Sequence, residues 1–194
     1  MKAVGIFYAT REGHTKLIAQ HLAMRLREAG LEVKTVNLKH PQPEQANPNR
    51  YGAAIVAASV HGGSHEREMI RFARQHRAEL DSLPNVFISV NLSQVGASDA
   101  SRSPAERARF QADVETMVAH FRQKTGWTPR TVKPVAGALP YSRYNFLIRF
   151  LMKRIARKNG APTDTSHDYD FTNWADLDQF AATLAAELRR AAAA

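Results

Sequence analysis

The fold is decided near the amino terminus by the stretch Val4-Gly5-Ile6-Phe7-Tyr8-Ala9-Thr10-Arg11-Glu12-Gly13-His14-Thr15. Its first six residues form an apolar run that predicts a buried strand, and apolar residues recur at helical spacing from Leu17 onward. The connecting residues 10–15 contain two hydroxyls and a glycine where the helix starts. A helix start offers unpaired N–H donors and a positive dipole end, so this loop suits a phosphate group. An ordinary strand-to-helix connection with a threonine N-cap is the alternative.

The composition narrows the class of protein. The chain has 194 residues, a length that suits one domain spanning 1–194. It has no cysteine, which excludes disulfides, thiolate metal ligands and a cysteine nucleophile. No signal-peptide pattern is visible, and no apolar stretch approaches the roughly 18 residues that a membrane-spanning helix needs. We therefore expect a cytoplasmic protein.

The positive charge of the chain is concentrated in one segment. The formal net charge is +9, and residues 139–160 contain no acid but the cations Arg143, Arg149, Lys153, Arg154, Arg157 and Lys158. Such a segment suits an anionic partner. A second basic run, formed by Arg67, Arg71, Arg74 and Arg77, is partly balanced by Glu66, Glu68 and Glu79. This balance favours a solvated helix face, and no nucleic-acid partner is expected.

Apolar runs and helical repeats alternate along the chain. Strands are predicted at 2–9, 31–38, 51–59, 84–91 and 131–138, and helices at 14–29, 65–80, 104–124 and 173–190. Several strands are apolar with little alternation, which is typical of a parallel sheet covered by helices on both faces. In such an α/β fold a ligand binds at the carboxyl ends of the strands. The polar loops 10–15, 59–65 and 89–103 all follow strands at that edge.

Three loop motifs and a carboxyl-terminal pattern carry a family resemblance. The loops are T-x-x-G-x-T at 10–15, Ser59-Val60-His61-Gly62-Gly63 and Ser89-Val90-Asn91-Leu92. The pattern comprises Val135-Ala136-Gly137-Ala138-Leu139, Tyr141, Arg143-Tyr144, Arg149-Phe150, Met152-Lys153, Thr163-Asp164-Thr165, Phe171-Thr172 and Trp174. Together they resemble the menaquinone-dependent protoporphyrinogen IX dehydrogenase branch of the flavodoxin-like family.

The resemblance implies a fold, a cofactor and a reaction. The fold is the flavodoxin-like three-layer α/β fold, a five-stranded parallel sheet in the order 2-1-3-4-5 with an insert, 139–172, before the last helix. The cofactor is FMN, and the reaction is the oxidation of protoporphyrinogen IX in heme biosynthesis. Electrons pass to menaquinone or ubiquinone, so the family resemblance places the protein peripherally on the cytoplasmic face of the inner membrane.

The resemblance also assigns residues to the cofactor. Thr10, Arg11, Glu12, Gly13, His14 and Thr15 are expected to hold the FMN phosphate. The residues expected around the flavin ring are Ser59, Val60, His61, Gly62, Gly63, Ser89, Val90, Asn91 and Leu92. The chain departs from the branch at His61 and Gly62, where a cation and an aromatic residue are expected. No side chain is expected to act as a nucleophile, because the flavin carries the hydride chemistry.

The insert contains a second helix pattern, from Tyr144 to Lys158. Apolar residues lie at helical spacing on one face: Tyr144, Leu147, Ile148, Leu151, Met152 and Ile155. The cations lie on the other face, with Phe146 and Phe150 among them. This pattern has three interpretations: a helix that packs on the core, an element that binds substrate or membrane, and a helix that docks a protein partner. The second suits both an anionic lipid surface and an apolar ring bearing carboxylates, with Tyr141, Arg143, Arg149 and Phe150 as substrate-binding candidates.

Several other classes of protein are excluded because the sequence motifs that they require are absent. The chain has no dinucleotide or P-loop glycine motif and no G-x-S-x-G nucleophile elbow. His61 and His65 are four residues apart but lack a third metal ligand of clear spacing, so no metal is expected. A receiver-like domain requires acidic residues where Tyr8, Ala9, Thr10 and Ser59 stand. A flavodoxin-type electron carrier and an FMN-dependent quinone reductase remain the alternative functions.

Overall fold

The central sheet of the computed structural model has the predicted architecture. The structure describes residues 2–158 and 161–193. The strands of this sheet are β1 (Val4–Ala9), β2 (Val33–Asn37), β3 (Ala53–His61), β4 (Ser64–His65), β5 (Asn85–Asn91) and β6 (Thr131–Ala136). The parallel strands follow the order β2-β1-β3-β5-β6, and β4 pairs antiparallel with the end of β3. The predicted order 2-1-3-4-5 is therefore confirmed, with a hairpin strand added.

Helices cover both faces of the sheet because the strand side chains alternate between two apolar clusters. Ile6 and Ile55 pack in one cluster with α1 (His14–Glu28) and with α7 (Trp174–Ala193). Phe7 and Val56 pack in the other with α2 (Arg67–Gln75), α3 (Arg77–Ser82) and the later α5 (Pro104–Thr125). The short α4 (Ser93–Ser98) lies between β5 and α5. Strand residues buried on both faces explain the continuous apolar runs in the sequence.

The insert has an apolar cluster of its own. Two short strands, β7 (Ala138–Leu139) and β8 (Tyr169–Asp170), pair antiparallel and bracket α6 (Phe146–Lys158). The cluster consists of Leu139, Tyr141, Tyr144, Ala156 and Ala161. It holds α6 near the carboxyl edge of the main sheet, where the predicted ligand loops lie.

Two predicted segments at this edge differ from the structure. The helix predicted at 65–80 begins with strand β4 and is divided at His76, whose ψ of 25° interrupts the helical path. The loop predicted at 89–103 contains α4, and the Asn91 side chain accepts a hydrogen bond from the Gln94 N–H at its start. Neither change carries a proline signal, and a six-residue helix is too short for a clear apolar period.

The apolar face predicted for the insert helix is wrong in part. The helix begins at Phe146, and Tyr144 is buried in the loop before it. Leu147, Ile148 and Leu151 are exposed, whereas Ala156 is buried. The prediction treated one continuous stripe as the packing face. In the structure Tyr144 and Met152 pack in the apolar cluster of the insert, and the stripe residues between them are exposed.

Candidate functional site

The predicted ligand loops meet at the carboxyl edge of the sheet. Residues 10–13 follow β1, residues 59–63 form the end of β3 and its turn, and residue 92 follows β5. A segment after β6, 137–138, joins them. These segments and Met152 of α6 surround a narrow cavity of about 50 Å³. The predicted cofactor residues that line it are Thr10, Glu12, His14, Thr15, Ser59, Val60, His61, Val90, Asn91 and Leu92.

The loop after β1 has the features of a phosphate cradle. Gly13 has a φ of 93°, a left-handed conformation that favours glycine, and it precedes the first turn of α1. No side chain caps this helix end, and its first turn contains no acid. The Thr10 hydroxyl accepts a hydrogen bond from the Gly13 N–H at 3.0 Å. The free amides of the first helical turn are therefore available to an anion.

Thr15 provides the clearest sign of a missing ligand. The residue is 1% exposed, and its hydroxyl oxygen has no hydrogen-bond partner among the described residues. A buried hydroxyl without a partner costs about 1–3 kcal/mol. Because it lies in the first turn of α1 and borders the narrow cavity, a phosphate oxygen there would satisfy it. The residues present therefore fit an FMN phosphate.

Residues of the insert also contact the loop after β1. The Arg143 guanidinium donates a hydrogen bond to the Glu12 carbonyl oxygen. His14 Nε2 lies 2.7 Å from the Thr172 hydroxyl oxygen. Burial lowers the pKa of His14, and the Asp170 carboxylate opposes this shift. Burial and the nearby Glu12 carboxylate raise the pKa of Tyr144, whose hydroxyl makes no hydrogen bond of ordinary geometry within the described residues.

The ring-flanking loop is a tight hairpin turn. Gly62 and Gly63 have φ values of 57° and 77°, as a two-residue turn between antiparallel strands requires. Both glycines are exposed and line a neighbouring cavity of about 390 Å³ with His61, Asn91 and Leu92. The other walls of that cavity come from α5, through Met117 and His120 among others, and from Met152 and Ile155 of α6. The loop places no aromatic side chain at this cavity, as the sequence indicated.

Some predicted cofactor residues lie elsewhere. Arg11 is exposed and directs its side chain to Glu66. Gly13 borders a third cavity, of about 470 Å³, on the α1 side of the loop. Ser89 is fully buried within β5, where its hydroxyl oxygen lies 2.9 Å from His65 Nε2. The structure therefore does not bring Arg11 or Ser89 to the lining of the narrow cavity.

The four substrate-binding candidates have different surroundings. Tyr141 is fully buried, and its hydroxyl donates to the Pro162 carbonyl oxygen at 3.3 Å, so it does not face a ligand. Arg143 lines the cavity of about 470 Å³ together with Lys16 and Pro140. Arg149 is half-buried and donates to the Tyr144 carbonyl oxygen at 3.3 Å. Phe150 is 64% exposed on the outer face of α6.

The histidines form no metal centre in residues 2–158 and 161–193, where no three His, Cys, Asp or Glu side chains are grouped to hold an ion. His61 and His65 lie on paired strands rather than on a helix. His65 is 3% exposed and packs beside the stacked rings of Phe87 and Phe121. Burial lowers its pKa to about 3, with a smaller effect of the Lys124 cation.

Several residues at the site were not found from the sequence. Glu66 contacts two ligand loops, Thr172 contacts His14, and Met152 closes the narrow cavity. Glu66 was counted only as a balancing charge. Thr172 and Met152 belong to the family pattern quoted above, but nothing in their local sequence indicates which loop they contact. Their partners lie far away along the chain.

Residues 5–166 match a family model described as a flavodoxin domain. The chain belongs to the flavodoxin domain family. The protoporphyrinogen IX dehydrogenase (quinone) of Escherichia coli strain K12 is 30% identical over 181 residues, which cover 93% of each chain. The protein of the same name from Leishmania major is 30% identical over 182 residues, covering 93% of this chain and 74% of the relative. The family membership predicted from the sequence is confirmed.

Solved structures of low sequence identity share the fold. Rubredoxin oxygen:oxidoreductase from Desulfovibrio gigas has a TM-score of 0.52 at 17% identity, and the match covers 100% of this chain and 38% of that one. The Flv1 flavodiiron core from Synechocystis sp. PCC6803 has a TM-score of 0.51 at 14% identity, covering 97% and 36%. The chain thus spans little more than a third of each of these proteins. None of the helices within residues 2–158 and 161–193 has the length and apolarity to cross a membrane.

Proposed function

We propose that this flavodoxin-family protein is an FMN-dependent oxidoreductase that oxidises protoporphyrinogen IX to protoporphyrin IX and passes the electrons to a quinone. The identity to protoporphyrinogen IX dehydrogenases over nearly the whole chain supports the reaction. The observation that supports the assignment of FMN is the Thr15 hydroxyl, which has no hydrogen-bond partner among the described residues and lies at an uncapped helix start. A phosphate ligand would satisfy both.

The chain's own residues bind and orient the cofactor. Thr10, Thr15 and the first amides of α1 would hold the phosphate, while Arg143 and Thr172 keep the loop in place from outside. The loops at 59–63 and 91–92 would flank the ring, with Met152 of α6 over the same cavity and limiting access of water. The bound flavin supplies the hydride chemistry.

The α1-side cavity is the candidate site for the tetrapyrrole carboxylates. It is lined by Arg143 and Lys16, cations that suit propionate groups, and by the apolar Leu17 and Pro140. Its acids are Glu12, Asp168 and Asp170, of which Asp168 accepts hydrogen bonds from Ser142 and Asp170 accepts one from Trp174. Among the four substrate candidates, Arg143 is therefore the one that this proposal retains for direct contact.

The outer surface of α6 supports peripheral attachment to an anionic membrane. Five large apolar side chains are 44–78% exposed on this helix: Phe146, Leu147, Ile148, Phe150 and Leu151. Arg154 and Arg157 are exposed beside them. Apolar side chains with adjacent cations are typical of helices that lie in the membrane interface. Because Met152 and Ile155 of the same helix border the ring cavities, such attachment would bring the cofactor site close to a membrane-dissolved quinone.

The inner face of the cytoplasmic membrane is the location that this proposal implies. Menaquinone or ubiquinone would accept electrons there, and the anionic lipids would attract the basic segment 143–157. A pure electron carrier and an NAD(P)H-dependent quinone reductase are the competing functions.

An anaerobic assay of the purified protein tests the proposal. The protein should be yellow, and heat should release a compound that runs as FMN in chromatography. It should then oxidise protoporphyrinogen IX with a menaquinone analogue and without NADPH. A colourless protein that ignores added FMN contradicts the cofactor assignment. Rapid electron exchange with an NADPH-dependent reductase, without oxidation of protoporphyrinogen, identifies a carrier instead.

A further inference from the structure

One buried carboxylate connects the two loops on which the cofactor proposal depends. The side chain of Glu66 is 2% exposed at the hairpin end that follows β4. Its oxygens lie 3.2 and 3.3 Å from Arg11 Nε in the phosphate loop. Oxygen Oε1 also lies 3.2 Å from His61 Nε2 in the ring-flanking loop.

Further contacts fix the position of this carboxylate. The Ser59 hydroxyl donates a hydrogen bond to Oε1 at 3.4 Å. The Glu66 backbone N–H donates to the Ser59 carbonyl oxygen at 3.2 Å, which closes the hairpin next to it. A carboxylate is costly to bury unless cations and hydrogen-bond donors compensate it. Here the compensating groups come from two loops that are about fifty residues apart in the sequence, so the loops and the carboxylate stabilise one another.

We propose that Glu66 is a positioning residue that couples the phosphate loop to the ring-flanking loop and contributes a negative charge beside the flavin ring. This inference rests on the proposed binding of FMN at these loops. Reduction of a flavin adds negative charge, and a carboxylate close to the ring disfavours that charge. Glu66 therefore holds the reduction potential of the bound cofactor lower than the Arg11 cation alone would set it.

The electrostatic part is tested with Glu66→Gln, which keeps the shape of the side chain and one acceptor oxygen but removes its charge. Glu68→Gln is the matched control, because it removes the same charge two residues away on α2. We expect Glu66→Gln to favour reduced over oxidised FMN about tenfold more than the parent does. For a two-electron couple this is a rise of about 30 mV in the midpoint potential. Equal potentials in the Glu66→Gln and Glu68→Gln variants would overturn the proposal.

The coupling part is tested by hydrogen exchange on the FMN-free protein, so it does not depend on cofactor binding. Glu66→Gln and Arg11→Met each remove one side of the ion pair. Both should raise amide exchange at least threefold in residues 10–13 and 59–66 together. Faster exchange confined to the hairpin in both variants would show that the loops are independent, and the proposal fails. If the parent protein binds no FMN, the proposed function fails by itself, and the exchange result still decides the coupling.

Discussion

Thr15 links cofactor binding to stability at the scale of a single residue. Its buried hydroxyl has no partner among the described residues, so Thr15→Val should stabilise the FMN-free protein by about 1 kcal/mol. The same substitution should weaken FMN binding about 10- to 100-fold, because a hydrogen bond to a charged phosphate is lost. Thermal unfolding without FMN and fluorescence titration with FMN measure the two effects. The control is Thr183→Val on the exposed face of α7, which should change FMN affinity by less than about twofold. Weaker stability with unchanged FMN affinity contradicts the phosphate assignment.

His65 predicts a pH dependence of stability. Its pKa is about 3 in the folded protein, because burial disfavours the cation, whereas an exposed histidine in the unfolded chain has a pKa near 6.5. Between these values the unfolded state binds the extra proton, so this residue makes the free energy of unfolding fall as the pH drops below about 6.5. We expect His65→Gln to reduce the loss of stability between pH 7 and pH 5 in urea unfolding. The same substitution at the exposed His120 should leave the dependence of the free energy of unfolding on pH as it is in the parent. An equal dependence in all three proteins would contradict the role of His65.

At this scale the sequence predicted what lies within one loop and missed what joins separate loops. Thr10, Gly13 and Thr15 were recognisable because a strand, a tight turn and a helix start follow one another directly. Glu66 carries no such signal, since its partners Arg11 and His61 are brought to it only by the order of the strands. Ser89 was assigned to the cofactor with the motif Ser89-Val90-Asn91-Leu92, but it lies two residues before the end of β5, inside the core and next to His65.

The proposed membrane attachment depends on the helix α6. Each cation near an anionic surface contributes about 1 kcal/mol, so Arg154→Gln with Arg157→Gln should weaken binding to anionic vesicles about thirtyfold. Arg149 is left intact because it donates to the Tyr144 carbonyl oxygen within the insert. The matched control is Arg67→Gln with Arg71→Gln, an equal charge change on exposed residues of α2. Co-sedimentation with vesicles measures binding. Equal losses in the two double variants would show that binding depends on the net charge of the protein and not on α6.

Elements were predicted best where local and long-range signals agree. The helix at 104–124 is confirmed as Pro104–Thr125, because Ser103 and Glu106 form a capping box at its start and Gly126 ends it. The late start of the helix predicted at 65–80 was not predictable, since its cause is the pairing of Ser64–His65 with β3. Periodicity in α6 identified the helix but not its contacts, because an apolar stripe does not state whether protein or lipid covers it.

At the scale of the molecule, the cofactor loops and the apolar surface of α6 share one edge of the sheet. Met152 and Ile155 border the ring cavities, whereas Phe150 and Leu151, directly before Met152 in the chain, are exposed. One helix therefore separates the candidate flavin site from the candidate lipid surface. All lysines and arginines of the insert except Arg143 lie on the same helix, so the charge of +9 is not spread evenly over the protein. In the proposed attachment, this arrangement would orient the cofactor site toward a quinone dissolved in the membrane.

Activity on vesicles tests that arrangement as a whole. Conversion of protoporphyrinogen IX to protoporphyrin IX removes six electrons, so three quinones should be reduced for each porphyrin formed. With menaquinone in anionic vesicles, Arg154→Gln with Arg157→Gln should slow turnover about tenfold or more, because less protein reaches the surface. With a water-soluble quinone analogue the variant and the parent should turn over at equal rates, since the flavin loops are unchanged. Raising the salt concentration should slow the parent only in the vesicle assay, because screening weakens surface attraction beyond about 10 Å at 0.1 M. A variant that is equally slow with both quinones would show that α6 serves the chemistry rather than the attachment to the membrane.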